Sequence, residues 1–310
     1  MKYYKSLDEY SETKDSVLTI GKFDGLHKGH MLLINDIIKI SKSRNLISTV
    51  CTMDFESHWK SKGINPNILM TKREKSEYLD GKVDCLAVAI FNETFMKMNA
   101  ETFIREVIVS KFHAKVVVVG SDFRFGYNKC GDVTVLQNFE EKYGYETIVV
   151  GKMQYDNREV SSSYIKELIE GGDIETANTL LGYKYSYEGI VSKGNRIGRT
   201  LGFPTINVYP DKQKLLPPFG VYVVKVFIRG IWYNGIANLG VKPTINTNSD
   251  TIIESYLFDY NEDAYDEEVI ISLLDYRRPE KKFASLEEMK KHVDKDIEYG
   301  KKYFTSCVLS

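Results

Sequence analysis

The chain is 310 residues long, 43% hydrophobic and 27% charged, with a formal net charge of −1. That is enough for two ordinary domains with separate cores, and it lacks the basic excess of a general nucleic-acid binder. No apolar run approaches the ~18–20 residues of a membrane span, and the opening MKYYKSLDEYSE is too acidic and polar for a signal peptide.

In chain order, apolar runs at 17–20, 46–52, 85–90, 116–119 and 147–150 are short, nearly continuous and rich in Val and Ile, as parallel strands covered on both faces must be. Helical patterns near 30–43, 71–80, 100–110 and 133–143 lie between them. The alternation predicts a doubly wound α/β sheet with its ligand crevice at the C-terminal strand ends. Ser161, Ser162 and Ser163 offer N-caps before Ile165, Leu168 and Ile169, and Gly171-Gly172 stops that helix. Asp173 can cap a second helix, with Ile174, Ala177, Leu180 and Leu181 inward, before Gly182. A domain boundary is expected near 182, giving domains 1–182 and 183–310.

Beyond it, strand-like runs near 185–192, 221–229, 231–239, 251–258 and 268–275 follow one another without an intervening helix, which predicts a small antiparallel barrel. One helix ends the chain, with Ser285 and Glu288 as a capping box and Leu286, Met289, Val293 and Ile297 as its apolar stripe. Cys51, Cys85, Cys130 and Cys307 form no CxxC pair. A disulfide framework or zinc site is not expected, and the reducing cytoplasm is the natural compartment.

Four stretches carry candidate chemistry. GKFDGLHKGH (21–30) occupies a strand-to-helix connection. His27 and His30 can offer imidazole N–H groups to nucleotide phosphates while Gly21, Gly25 and Gly29 let the backbone approach, and the helix dipole adds to the attraction. The plainer reading is a pair of helix-capping histidines. GSDFRFG (120–126) is either a second crevice loop, with Asp122 on nucleotide or substrate, or an Asx-type turn anchored by its aromatics. KGNRIGRTLGFPTIN (193–207) joins a Gly- and Arg-bearing loop, with Gly198, Arg199 and Gly202, to Thr205 and Asn207, whose oxygens suit a hard cation such as Mg²⁺. The alternative is an ordinary basic surface loop. Glu254 alternates onto the strand face of Ile252, Tyr256 and Phe258, where it is either a rim carboxylate or a general base made more basic by burial.

With these stretches, and with LMTKREKSEYL (69–79), VSSSYIKELI (160–169) and YRRPEKKFASLEE (276–288), nearly the whole chain resembles the bacterial bifunctional riboflavin kinase/FAD synthetases. The resemblance implies an N-terminal nucleotidyltransferase domain that joins FMN to AMP from ATP, releasing pyrophosphate. It also implies a C-terminal split-barrel kinase that phosphorylates the riboflavin 5′-hydroxyl and leaves ADP. By position, His27, His30 and the turn residues Gly21, Asp24, Gly25 and Gly29 would meet ATP, with Asp122, Ser162, Ser163 and Lys166 at the same site. Thr205 and Asn207 would position Mg²⁺ and the kinase's ATP phosphates, the Gly198–Gly202 loop would cover them, and Glu254 would be the base. The chain departs from the family pattern at Ser163 for Thr, Lys166 for Arg and Ile206 for Ala. It also reads Asp54-Phe55-Glu56-Ser57-His58-Trp59 for TFEPHP, where Trp59 either stacks on the flavin or marks a degraded FMN site. The reading is a cytoplasmic, Mg²⁺-dependent enzyme making FMN and then FAD, monomeric or weakly self-associating, with no nucleic-acid or membrane partner. Its rivals are a kinase-only enzyme and a non-enzymatic flavin or nucleotide sensor, and a sensor needs no base such as Glu254.

Overall fold

Runs of Val and Ile with no polar face bury well only as strands covered on both sides, and in the first half of the chain they do so. The computed structural model describes residues 1–193, 198, 201–242 and 250–307, and the chain divides into two units, Met1–Ser162 and Ser163–Ser310.

The first unit runs β1 (Lys2–Tyr4), β2 (Ser16–Gly21), α1 (Lys28–Arg44), β3 (Ile47–Asp54), α2 (Glu56–Lys62), α3 (Lys72–Leu79), β4 (Cys85–Ile90), α4 (Glu93–Met96), α5 (Ala100–Phe103), β5 (Ala114–Gly120), α6 (Val133–Asn138), α7 (Glu140–Tyr143) and β6 (Glu146–Val150). All pairings in its sheet are parallel, in the order β1-β4-β3-β2-β5-β6. From β2 the chain winds one way through β3 to β4 and then returns to the other side for β5 and β6. The topological switch point therefore lies between β2 and β5, and their C-terminal ends open the crevice. The core is built from these strands, with Val17, Leu18, Val117 and Val118 fully buried.

Three local departures from the periodicity have causes in the backbone. The helix expected over 100–110 begins as α5 and continues as a π-helix through Ile104–Lys111. The pattern over 133–143 breaks at Phe139, which leaves helical geometry at φ −102° and ψ 1°. A small hairpin, β7 (Gln154–Tyr155) and β8 (Arg158–Glu159), turns on Asp156 and Asn157, both left-handed, as a two-residue primed turn requires.

The next elements are α8 (Ser162–Glu170), α9 (Ile174–Leu181), β9 (Ser186–Ile190), β10 (Thr205–Val208), β11 (Gly220–Ile228), β12 (Ile231–Lys242), β13 (Asp250–Leu257), β14 (Glu268–Pro279) and α10 (Leu286–Cys307). Asp173 caps α9 through the Thr176 N–H at 3.1 Å, and Gly182 closes it in the left-handed region. The strands form one antiparallel sheet, β10-β13-β12-β11-β14-β9. Just past β9, Ser192 bridges Asn207 of β10, the other outer strand, so the sheet curls back on itself as a split barrel. Tyr185 and Tyr187 are fully buried and both donate to the Leu215 carbonyl, at 2.8 and 2.7 Å. At the head of α10, Ser285 accepts from the Glu288 N–H, but the Glu288 carboxylate accepts from Ala284 rather than Ser285. Leu286 is exposed, so the inward stripe begins at Met289.

The boundary expected near 182 falls after α9, whereas α9 groups with the strands that follow it. The buried Asn178 explains this: it donates to Leu273 O at 2.9 Å and accepts from Tyr185 N at 2.6 Å. Asn178→Ala would leave two backbone groups buried without partners and is expected to cost ~2–4 kcal/mol. Urea unfolding would read this as a lower midpoint, and an unchanged midpoint would show that these bonds are replaceable.

Candidate active sites

The first site begins where β2 ends. Phe23 and Leu26 are left-handed non-glycine residues at φ 48° and 38°, and Gly25 between them sits at φ 88°. Such a turn persists only where its surroundings hold it, and side chains and backbone from elsewhere do so. Lys75 on α3 donates to the Lys22 carbonyl at 3.0 Å and to Thr52 Oγ1 at 2.7 Å, and Thr52 itself donates to the same carbonyl. The Leu69 N–H donates to the buried Asp24 carboxylate at 2.7 Å, and Ser162 Oγ donates to Asp24 O at 2.8 Å.

His27 is the N-cap of α1, its Nδ1 accepting the His30 N–H at 3.3 Å. The capping reading is therefore met by His27 and not by His30, and the cap has a chemical consequence. A neutral imidazole that accepts at Nδ1 carries its proton on Nε2, so the cap leaves a donor on the far side of the ring. Burial pushes the His27 pKa down to about 4, against a smaller upward pull from Asp24. The ring is thus neutral at pH 7. His30 stacks on it at 3.7 Å, with Phe23 edge-on at 5.2 Å. Burial first, then His27 and Lys75, hold the His30 pKa well below the usual range. His30 Nδ1 is buried with no hydrogen-bond partner among the described residues. Gly29 is needed for contact: a Cβ there would lie 3.1 Å from the His27 ring.

The loop after β5 leaves the same edge of the sheet, from the strand beside β2. Its Phe125 is buried between Phe103 and Phe123, the anchoring expected of a turn. Asp122 is exposed and pairs with Lys152 at 3.1 Å. On the other flank, after β3, Phe55 stacks on Trp59, with the Lys22 ammonium 5.6 Å from the Trp59 ring. Ser163 and Lys166 lie further along α8, Ser163 exposed and Lys166 half-buried on the Ser162 face. The sequence reading missed Lys75 and Thr52. The available signal was that Lys75 falls four residues before buried Leu79, a lysine on the apolar side of a helix.

The second site is set by strand register. Asn207 on β10 stands opposite Glu254 on β13, which stands opposite Asn238 on β12, so the three lie in one row on one face. Thr205 lines two clefts. One is largely apolar, with Phe203, Ile236 and Phe283 around Glu254 and Asn238. The other is more polar, with Asn207, Tyr260, Glu262 and Asp263. Asn238 donates to Glu280 at 3.2 Å, and Arg278 grips the buried Asp296 of α10 through two nitrogens, the shortest contact being 2.6 Å. Asn207 is 5% exposed, and its Oδ1 is buried without a hydrogen-bond partner among the described residues. Gly198 accepts the Phe203 N–H at 2.9 Å, and Gly202 is left-handed. Arg199 lies outside the described residues. No group of three His, Cys, Asp or Glu among the described residues could hold a metal by itself.

Comparison with known proteins bears on both sites. The FAD synthetase family model matches residues 9–164, and the riboflavin kinase model matches residues 181–304. The chain is 36% identical to the bifunctional riboflavin kinase/FMN adenylyltransferase of Haemophilus influenzae, over 93% of this chain and 94% of that one. It is 35% identical to the Bacillus subtilis protein of the same name, over 95% and 94%. A solved structure described as a macrolide-efflux protein from Streptococcus pneumoniae shares the fold, with a TM-score of 0.86 and 28% identity over 97% of this chain and 98% of that one. No helix among the described residues is long and apolar enough to cross a membrane. With one family model over each half and relatives aligned almost end to end, the chain belongs to the bifunctional riboflavin kinase/FMN adenylyltransferase family.

Proposed function

We propose that this chain carries out both reactions of its family: the second site phosphorylates riboflavin to FMN, and the first joins FMN to AMP from ATP to give FAD. The nucleotidyltransferase half corresponds to the match over 9–164 and the kinase half to that over 181–304. The observation that carries the kinase half is Thr205, which lines both an apolar and a polar cleft while Asn207 and Glu254 face each other beside it. The apolar cleft suits a flavin ring and the polar one a nucleotide, so phosphoryl transfer would cross at Thr205.

In that reaction Glu254 accepts the proton of the attacking 5′-hydroxyl. Thr205 Oγ1 and Asn207 Oδ1 are hard, neutral oxygen donors, and the Asn207 oxygen, without a partner among the described residues, fits a cation. Such a pair would hold Mg²⁺ jointly with ATP rather than as a resident ion. The cation would supply charge neutralisation at the phosphates. The Gly198–Gly202 loop, with Arg199, would close over the phosphates.

At the first site, the Nε2–H of His27 and the ring of His30 meet the triphosphate at the start of α1, where the helix dipole favours anions. An FMN phosphate oxygen attacks the α-phosphorus and pyrophosphate leaves, its charge met by the same donors. Gly21, Asp24, Gly25 and Gly29 shape the cradle, with Asp122 and Ser162 of the same unit at the nucleotide site. Trp59, with Phe55 stacked on it, would stack on the flavin. Buried, unpaired Cys51 and Cys85 suit the reducing cytoplasm, and the enzyme acts as a monomer or weak homo-oligomer.

Purified protein given riboflavin, ATP and Mg²⁺ should yield FMN and FAD on chromatography. FMN alone would leave only the kinase, and neither product would return the chain to a sensor. The double variant His27→Ala/His30→Ala should lose FAD synthesis by at least ~10²-fold while keeping FMN synthesis. Near-normal FAD synthesis would reduce the histidines to their capping role. Conversely, Glu254→Gln should lower FMN formation ~10²-fold or more and spare FAD formation from supplied FMN. A kinase rate within a few fold of wild type would remove Glu254 from the mechanism.

A further inference from the structure

We propose that Lys75 is a positioning residue of the adenylyltransferase, holding the Gly21–His27 loop in its nucleotide-binding shape and setting a positive charge beside His30. The proposal rests on the reading of that loop as the ATP phosphate cradle.

Lys75 is 8% exposed, and its ammonium spans two segments, the Lys22 carbonyl of the loop and Thr52 near the end of β3. Those acceptors satisfy two of its three N–H donors. Pinning the loop does not by itself call for a charge, because the Thr52 hydroxyl already donates to the same carbonyl at 3.1 Å. Burying an ammonium is costly unless something repays it. A polyanionic triphosphate on the loop above would do so.

The charged neighbours of Lys75 offset one another only in part. Asp24 of the loop and Asp54 of β3 favour its charged form, while Lys22 of the loop and Lys72 of its own helix oppose it. Lys72 is itself paired with Asp54 and Glu56, at 2.7 and 2.8 Å. His30 of α1, which feels the Lys75 charge, is held neutral. Burial outweighs these influences and brings the Lys75 pKa down to about 8. In the ligand-free enzyme the proton is therefore lost as pH rises through about 8. Since kcat/KM reports the free enzyme, it should fall along with that proton.

The test uses the full chain with FMN, ATP and Mg²⁺, measuring kcat and the KM for ATP in FAD synthesis from pH 6 to 10. Riboflavin kinase activity of each preparation serves as the folding control. Wild type should show a basic limb in kcat/KM near pH 8. Lys75→Met should lower kcat/KM ~10²-fold at pH 7, the order of loss that accompanies a misplaced loop, and should erase the limb. Lys75→Arg keeps a charge that does not titrate, so its kcat/KM should exceed that of Lys75→Met and stay level through pH 9.

A wild-type profile without the limb, a Lys75→Met rate near wild type, or a Lys75→Arg no better than Lys75→Met at pH 9 would each overturn the proposal. If Lys75→Met fails to fold, the wild-type and Lys75→Arg profiles decide the matter. The cradle reading fails separately, if His27→Ala/His30→Ala makes FAD normally. If that variant is inactive while the Lys75 variants behave as wild type, only the role of Lys75 falls.

Discussion

The turn between Gly21 and His27 is the constraint on which the first unit's chemistry rests. Two residues with side chains, Phe23 and Leu26, adopt left-handed backbone there, at a cost of order 1 kcal/mol or more each. They stay because the loop is bound at Lys22 O, at the Asp24 carboxylate and at Asp24 O, by groups from β3, α3, the segment before α3 and the first turn of α8. Released, the turn would relax toward ordinary backbone. His27 would then no longer cap α1, and the two imidazoles would lose their stacking. Structure and chemistry share one ring: Nδ1 caps the start of α1, and the tautomer this enforces carries the proton on Nε2.

In the second unit the corresponding constraint is register. Successive residues of a strand point to opposite faces, so sliding β13 one residue past β10 would bring Ser255 opposite Asn207 and send Glu254 to the other face. Glu254 and Tyr256 are half-buried whereas Ser255 and Leu257, on the opposite face, are buried, and this difference opposes that slip. The Asn207–Glu254–Asn238 row is thus a by-product of the hydrophobic pattern. It puts polar groups side by side although they lie far apart in the chain.

Much of this was legible in the sequence. Val116–Val119 has no polar face and could only be a covered strand. Asp173 before Ile174 announces a cap, and glycines with histidines at a strand-to-helix junction announce a tight turn into a helix. What was hidden depends on partners distant in sequence. The four residues of β10 follow a glycine-rich loop and Pro204, and only pairing with β13 makes them a strand. Lys2–Tyr4 is too short to show a period and is recruited by the edge of β4. Lys75 reads as one more surface lysine until Thr52 and the Lys22 carbonyl are seen to enclose it. Leu286 has the spacing of a core residue, yet at the first position of its helix it remains exposed.

The position of β2 between β3 and β5 has a consequence during synthesis. Ser16 pairs with Ile47 on one side and with Ala114, much further along the chain, on the other. Parallel pairing over such a span forms late and slowly. A nascent chain that has emerged only through β4 has one wall of the crevice and no second wall, and the seryl clasp at Asp24 waits for residue 162 to leave the ribosome. Domains generally fold as they emerge, N-terminal first. The strands of the half that performs the second reaction therefore all leave the ribosome before those of the kinase half, and the order of birth runs opposite to the order of chemistry.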